Sequence, residues 1–217
     1  MALNINTTVP NIDVDTTIGK INTHEWIDDS WSIIFSHPKD FTPVCTTELG
    51  ALAKLEERFA ARNTKILGVS VDSVEDHLAW IEDINEVNNC KVSFPMIADE
   101  NLTFSKAFDM LPADSEVSSA RTAMDNATVR VVYIVGPDKK VKASLAYPMS
   151  SGRNFDEIER LLISCQLTLN HKVATPANWK SGEDVIIVPA VKDEEAVKEF
   201  GSWYAPKPYI RYIKDPS

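Results

Sequence analysis

The stretch "WSIIFSHPKDFTPVCTTELG", residues 31–50, decides how the rest of the chain is read. It opens with a short apolar run, 31–36, which reads as a buried strand. Two prolines, Pro38 and Pro43, then punctuate a loop. Thr42 suits a helix N-cap and Pro43 the first helical position after it. Leu49, Leu52, Leu55 and Phe59 follow at helical spacing and carry the helix to about Arg62. Cys45 therefore falls in the first turn. Backbone N–H groups there lack helical partners and the macrodipole is positive, so both favour a thiolate over a thiol. The competing reading is a small hydrophobe packed under the helix start, where free cysteines often lie.

Working outward, "KILGVSV" (65–71) reads as a second buried strand. Ser73 caps a helix whose expected inner face is Val74, Leu78, Ile81 and Ile84. "FPMI" (94–97) is a short extended piece, and its proline argues for an edge or an irregular end. "NLTFSKAF" (101–108) is a short helix candidate. "TVRVVYIV" (128–135), the turn "GPDKK" and "KASLAY" (142–147) make a β-hairpin. An amphipathic helix over 154–170 carries Ile158, Leu161, Leu162 and Cys165 on its apolar face, so Cys165 reads as a core thiol. Strands alternating with helices, then a hairpin and a helix, give a mixed α/β sheet. From about His171 the chain turns rich in proline and aromatics. That predicts a small tail, too short to own a core, packed on its body or on a partner subunit.

The charge of −10, from 22 basic and 32 acidic residues, argues against a phosphate-backbone partner and an anionic membrane surface. No run of about 18 apolar residues occurs, so no stable membrane insertion is expected. The start "MALNINTTVP" has neither the basic nor the apolar region of a secretory signal, and the cytoplasm is the expected compartment. Three cysteines, Cys45, Cys90 and Cys165, make no disulfide framework. Without a CxxC they make no zinc cluster either.

Arg130 lies inside an apolar strand candidate. A guanidinium there must reach solvent at an edge, pair with an acid or line a site. A thiolate would satisfy it, and an arginine suits charge developing on an oxygen. At this point the residues reach a family. "PKDFTPVC" carries Pro38, Thr42 and Cys45 in the Pro-x-x-x-Thr-x-x-Cys spacing of peroxiredoxins. The longer "SHPKDFTPVCTTELG", with "ATVRVVYIVGPDKKVK", "YPMSSGRNFDEI" and "QLTLNHKVATPANWKSGEDVIIVP", closely resembles the one-cysteine (1-Cys) class over nearly the whole chain.

The resemblance implies a thioredoxin-like (peroxiredoxin) α/β fold over 1–169 and a small C-terminal dimerisation domain over 170–217. It implies peroxide reduction without cofactor or metal. Cys45 would attack and become a sulfenic acid, Thr42 would bind the peroxide, Arg130 would stabilise thiolate and transition state, and Pro38 would shield the sulfenate. His37, Glu48 and Arg153 are candidates around them. Two-cysteine members carry Val-Cys-Pro near the C-terminus. The matching "KVATPANW" has Ala174 and Thr175 there, so an external thiol, glutathione or the thioredoxin system, is the expected resolver, with a homodimer or larger assembly. Cys90, in the polar "NNCK", reads as incidental.

Some members of the class are also calcium-independent phospholipases A2, and the matching positions are Ser30, His24 and Asp138. The serine context here is "DDSWS", lacking both glycines that allow the tight nucleophile turn, and Asp29 adds a negative charge beside the serine. A non-enzymatic redox relay or chaperone is the remaining alternative, against which Thr42, Cys45 and Arg130 together argue.

Overall fold

The structure is a computed structural model that describes residues 3–113 and 127–217. The chain divides into two compact units, Met1–Phe155 and Asp156–Ser217.

The first unit is built on a seven-stranded sheet. Its strands are β1 (Asp13–Thr16), β2 (Gly19–Asn22), β3 (Trp31–Ser36), β4 (Thr64–Ser70), β5 (Met96–Ala98), β6 (Arg130–Val135) and β7 (Val141–Tyr147), in the order β2-β1-β5-β4-β3-β6-β7. β3, β4 and β5 run parallel, joined by helices, and β6 and β7 form the expected antiparallel hairpin. Every residue of β3 and of β6 is buried, so both faces of the sheet are covered at these central strands. The helices are α1 (Thr23–Ile27), α2 (Pro43–Ala60), α3 (Val74–Asn88) and α4 (Thr103–Ala107). Ile34, Leu67, Val69, Ile97, Phe104, Phe108, Val131 and Tyr133 pack the core on one face, with the Phe104 and Phe108 rings stacked at 3.9 Å.

Of the two readings of Pro95, the irregular end holds and the edge does not: β5 lies between β1 and β4, with Pro95 just before it and the Pro95 carbonyl accepting the Gly68 N–H at 3.0 Å. The expectation for one helix changes. α3 turns a different face inward. His77, Trp80 and Ile84 are buried, whereas Leu78 is 49% exposed. The helix faces α2 closely: a Cβ on Gly50 would sit 2.1 Å from Asn88 Cγ, so glycine is needed there. α2 stops at Ala60, close to the expected end.

The second unit holds nearly all of α5 (Phe155–Asn170), then β8 (Val173–Ala174), β9 (Val185–Ile187), α6 (Asp193–Phe200), β10 (Tyr204–Lys207) and β11 (Ile210–Ile213). Its strands form a four-stranded sheet in the order β10-β11-β9-β8. The tail does own a core, contrary to the sequence expectation. Leu167, Val173, Trp179, Val185, Ile187, Val191, Ala196 and Ile213 bury one another. Apolar residues scattered among prolines have no period to betray them, and α5 lends the tail its Leu167. Arg211 is buried there, donating to Asp193 at 2.7 Å and to the carbonyls of Val188 and Val191.

Candidate active site

β3 ends at Ser36, and the chain leaves the carboxyl end of the parallel strands, where open α/β sheets place their ligands. The loop 37–42 then delivers α2. Phe41 within it has φ of +53°, a left-handed conformation costing a non-glycine residue about 1–2 kcal/mol. Thr42 takes the N-cap backbone conformation, yet its side chain caps nothing; the hydroxyl donates to Lys39 O at 2.9 Å. The first-turn amides of α2 thus have no side-chain cap at the helix start, where Cys45 lies fully buried.

Four charged or chargeable groups meet at Cys45. Arg130, at the first residue of β6, donates from Nη1 to Cys45 Sγ at 3.3 Å and to Glu48 Oε2 at 2.6 Å. Its Nε and Nη2 donate to Met149 O at 2.9 and 2.7 Å. Glu48, one helical turn after Cys45, is buried and also receives Arg153: backbone N and Nε on Oε1 at 2.7 and 2.9 Å, Nη2 on Oε2 at 2.7 Å. Arg153 further donates to Ser36 O at 2.8 Å and lies 4.9 Å over the Phe35 ring. Burial pushes the Arg153 guanidinium below its ordinary range, with the Glu48 carboxylate pulling it back up. Two arginines, one glutamate and one cysteine sum to zero charge when the cysteine is a thiolate. Arg130 and Arg153 are therefore buried partners of an acid and a thiol, not edge residues, and Glu48 is not a solvated helix acid.

His37 is placed elsewhere. Its Nε2 lies 2.7 Å from Asp40 Oδ1, and Asp40 Oδ2 lies 2.5 Å from His77 Nδ1. His77 Nε2 faces Ile97 O at 3.1 Å. Asp40 N–H donates to Asp72 Oδ2 at 3.0 Å, and Ser70 Oγ donates to the same oxygen at 2.8 Å. Burial would raise the Asp40 carboxyl, but the two histidine hydrogen bonds win and hold it at about 2. Burial also dominates at His37 and pushes it down, so it stays neutral. At His77 the Asp40 bond and charge overcome burial and push it up. Among the described residues this is the one grouping whose three ligand-type side chains approach within 4.8 Å. Both His77 nitrogens and both Asp40 oxygens are already engaged, so its donor set suits an internal ion cluster and not a metal cage. Nothing in the sequence pairs residue 40 with residue 77; only the acid inside "HPKD" hinted at a buried charge.

The other candidates stand apart. Cys165 is half-buried, not a core residue. Cys90 lies beside Ile84 O and Asn85 Oδ1, and burial pushes its thiol up. Of the phospholipase trio, His24 Nε2 faces Val9 O at 2.7 Å and Asp138 binds Lys142 at 2.6 Å, while Ser30 is buried. The structure records no hydrogen bond from one of the three to another. No described helix is long and apolar enough to cross a membrane.

Residues 5–144 match the AhpC/TSA family, and residues 164–202 match the C-terminal domain of 1-Cys peroxiredoxin. The chain is 48% identical over 218 residues to peroxiredoxin-6 of Bos taurus, covering 95% of each protein. It is 45% identical over 216 residues to a 1-Cys peroxiredoxin of Dictyostelium discoideum, covering 99% of this chain and 86% of that one. A crystal structure of the C45S mutant of peroxiredoxin 6 from Arenicola marina superposes with a TM-score of 0.92 at 41% identity over the whole of both chains. A yeast mitochondrial 1-Cys peroxiredoxin, studied for thiol resolution via the glutathione and thioredoxin systems, gives 0.89 at 44%, covering 98% of this chain and 99% of that one.

Proposed function

The chain belongs to the AhpC/TSA family and, within it, to the 1-Cys peroxiredoxins, and from that premise we propose how its residues divide the work of a thiol-dependent peroxidase. Cys45 is the attacking thiol. The observation that carries this reading is the Arg130 Nη1 contact at 3.3 Å, made by a guanidinium that Glu48 and Met149 O already hold in place. The Cys45 thiolate attacks one peroxide oxygen, forming an S–O bond as the O–O bond breaks. The departing oxygen takes the electron pair and a proton and leaves as water or alcohol. Arg130 offers fixed positive charge where that negative charge develops. Thr42 turns its hydroxyl from Lys39 O to the bound peroxide, and Pro38 keeps water from the sulfenate. Glu48 and Arg153 hold Arg130 and the helix start in register. His37 acts through Asp40 and not at the sulfur.

The sulfenic acid is reduced by an external thiol: a first thiol forms a mixed disulfide and releases water, and a second frees Cys45. The yeast relative's use of glutathione and thioredoxin systems supports that class of reductant. Hydrogen peroxide and organic hydroperoxides, phospholipid hydroperoxides among them, are the substrates. Residues 1–169 form the catalytic part, and 170–217 pair subunits in a homodimer or larger assembly. Three cysteines, none in a disulfide, suit a reducing compartment such as the cytoplasm.

The test is chemical. One equivalent of peroxide leaves a dimedone-reactive sulfenic acid at Cys45 and no protein disulfide by mass spectrometry, and turnover resumes only on addition of thiol. A Cys45–Cys90 disulfide in the parent would overturn external resolution.

A further inference from the structure

We infer that Asp40 and a doubly protonated His77 form a buried ion pair that holds the thiol-presenting loop in its reactive shape, which makes both of them positioning residues of the peroxidase. The proton count on His77 follows from its neighbours. Nδ1 faces a carboxylate oxygen of Asp40 and Nε2 faces the carbonyl of Ile97. The Asp40 carboxyl, held at about 2, is ionised, so neither neighbour can donate; both ring nitrogens must, and the ring is an imidazolium. His37 differs: Nε2 donates to Asp40, while buried Nδ1 has no partner, which is the pattern of a neutral ring.

Asp40 is the point where the loop is fastened. It joins the end of β3 through His37, the segment after β4 through Asp72, and α3 through His77. The next residue is Phe41, whose left-handed backbone needs outside restraint, and the one after is Thr42. Thr46, adjacent to Cys45, is tied to the same helix by the Trp80 Nε1 bond at 3.2 Å. Trp80 also lies 5.2 Å from the His37 ring. Loss of the Asp40 anchor therefore reaches Thr42 and the first turn of α2 directly.

The anchor depends on pH in one direction. The charged groups facing His77 are Asp40 in the loop and Asp72 after β4, with neutral His37 beside them and the Ile97 carbonyl on β5. His77 holds its proton more tightly folded than unfolded. The stabilisation is thus complete below the ordinary histidine range and is lost as pH climbs through the raised value. When the proton leaves, a ring lone pair meets either Asp40 Oδ2 or Ile97 O, and Asp40 loses the cation at its Oδ2.

The inference rests on Cys45 being the attacking thiol, so it is tested with one readout that needs turnover and one that does not. In reduced protein labelled with ¹⁵N at the imidazoles, His77 shows two protonated ring nitrogens at neutral pH, in the parent and in Cys45→Ser alike. A singly protonated ring overturns the inference. The rate of sulfenate formation is then followed from pH 6 to 10 in the parent and in His77→Asn, whose amide still donates to Asp40 but carries no titrating proton. The parent loses about fivefold or more at the alkaline end, in step with the His77 titration. The variant is about three- to tenfold slower at neutral pH and has no alkaline fall. A variant that keeps the parent's fall, or is slowed equally at every pH, overturns the inference and leaves His77 a scaffold residue. Absence of sulfenate in the parent would instead sink the reading of Cys45, whatever the histidine spectrum shows.

Discussion

Two buried ion clusters lie five residues apart in the chain and use different cations. At Cys45 the positive charge comes from two guanidiniums, Arg130 and Arg153, sharing one carboxylate, Glu48. At Asp40 it comes from an imidazole. A guanidinium keeps its proton under all working conditions, and its fork fixes both distance and plane. An imidazole can lose its proton within a few pH units. The comparison teaches a division of labour: the cations that touch the reacting sulfur are blind to pH, and the cation that fastens the loop responds to it.

The sharpest way to break that division is Arg130→Met. It keeps the apolar stem and removes the donor at the sulfur, so sulfenate formation slows by roughly 10²–10³. Stopped-flow rates check it, and a rate within a few-fold of the parent removes Arg130 from the transition state. Glu48→Gln gives a smaller loss of activity and a larger loss of stability. It puts a neutral amide where two buried guanidiniums share a carboxylate, and breaking such a pair costs about 3–5 kcal/mol. Urea denaturation measures it; an unchanged midpoint would mean the arginines find other acceptors. The smallest effect is expected of Cys90→Ser with Cys165→Ser, since neither thiol belongs to either cluster. Peroxidase turnover with added thiol stays within about twofold of the parent, and its loss would bring a second cysteine into the cycle.

Much of the first cluster is legible in the sequence. An arginine inside an apolar strand demands a partner, and a cysteine behind a Thr-Pro helix start is a ready one. The motif spacing adds Thr42 and Pro38. The second cluster is not legible, because its members sit on three separate elements and hydrogen bonding alone makes them core residues. That same cluster explains the error on α3. Apolar periodicity favoured Leu78, whereas the turn that faces the loop buries His77, whose charge is compensated only in three dimensions. The hairpin and the central strands were readable from long apolar runs. β1, β2 and the tail strands were not, being short, polar or broken by proline.

Arg130 is gripped by a main-chain oxygen, that of Met149, while Met149 as a whole is 42% exposed. Four residues later the backbone N–H of Arg153 holds Glu48. The segment 148–153 therefore acts on the thiol through its path and not through its lettering at 149. In evolutionary drift, or in a mutational library, residue 149 can change freely while the spacing from 149 to 153 cannot. A single-residue deletion there would do more harm than any substitution of Met149 that leaves the carbonyl in place.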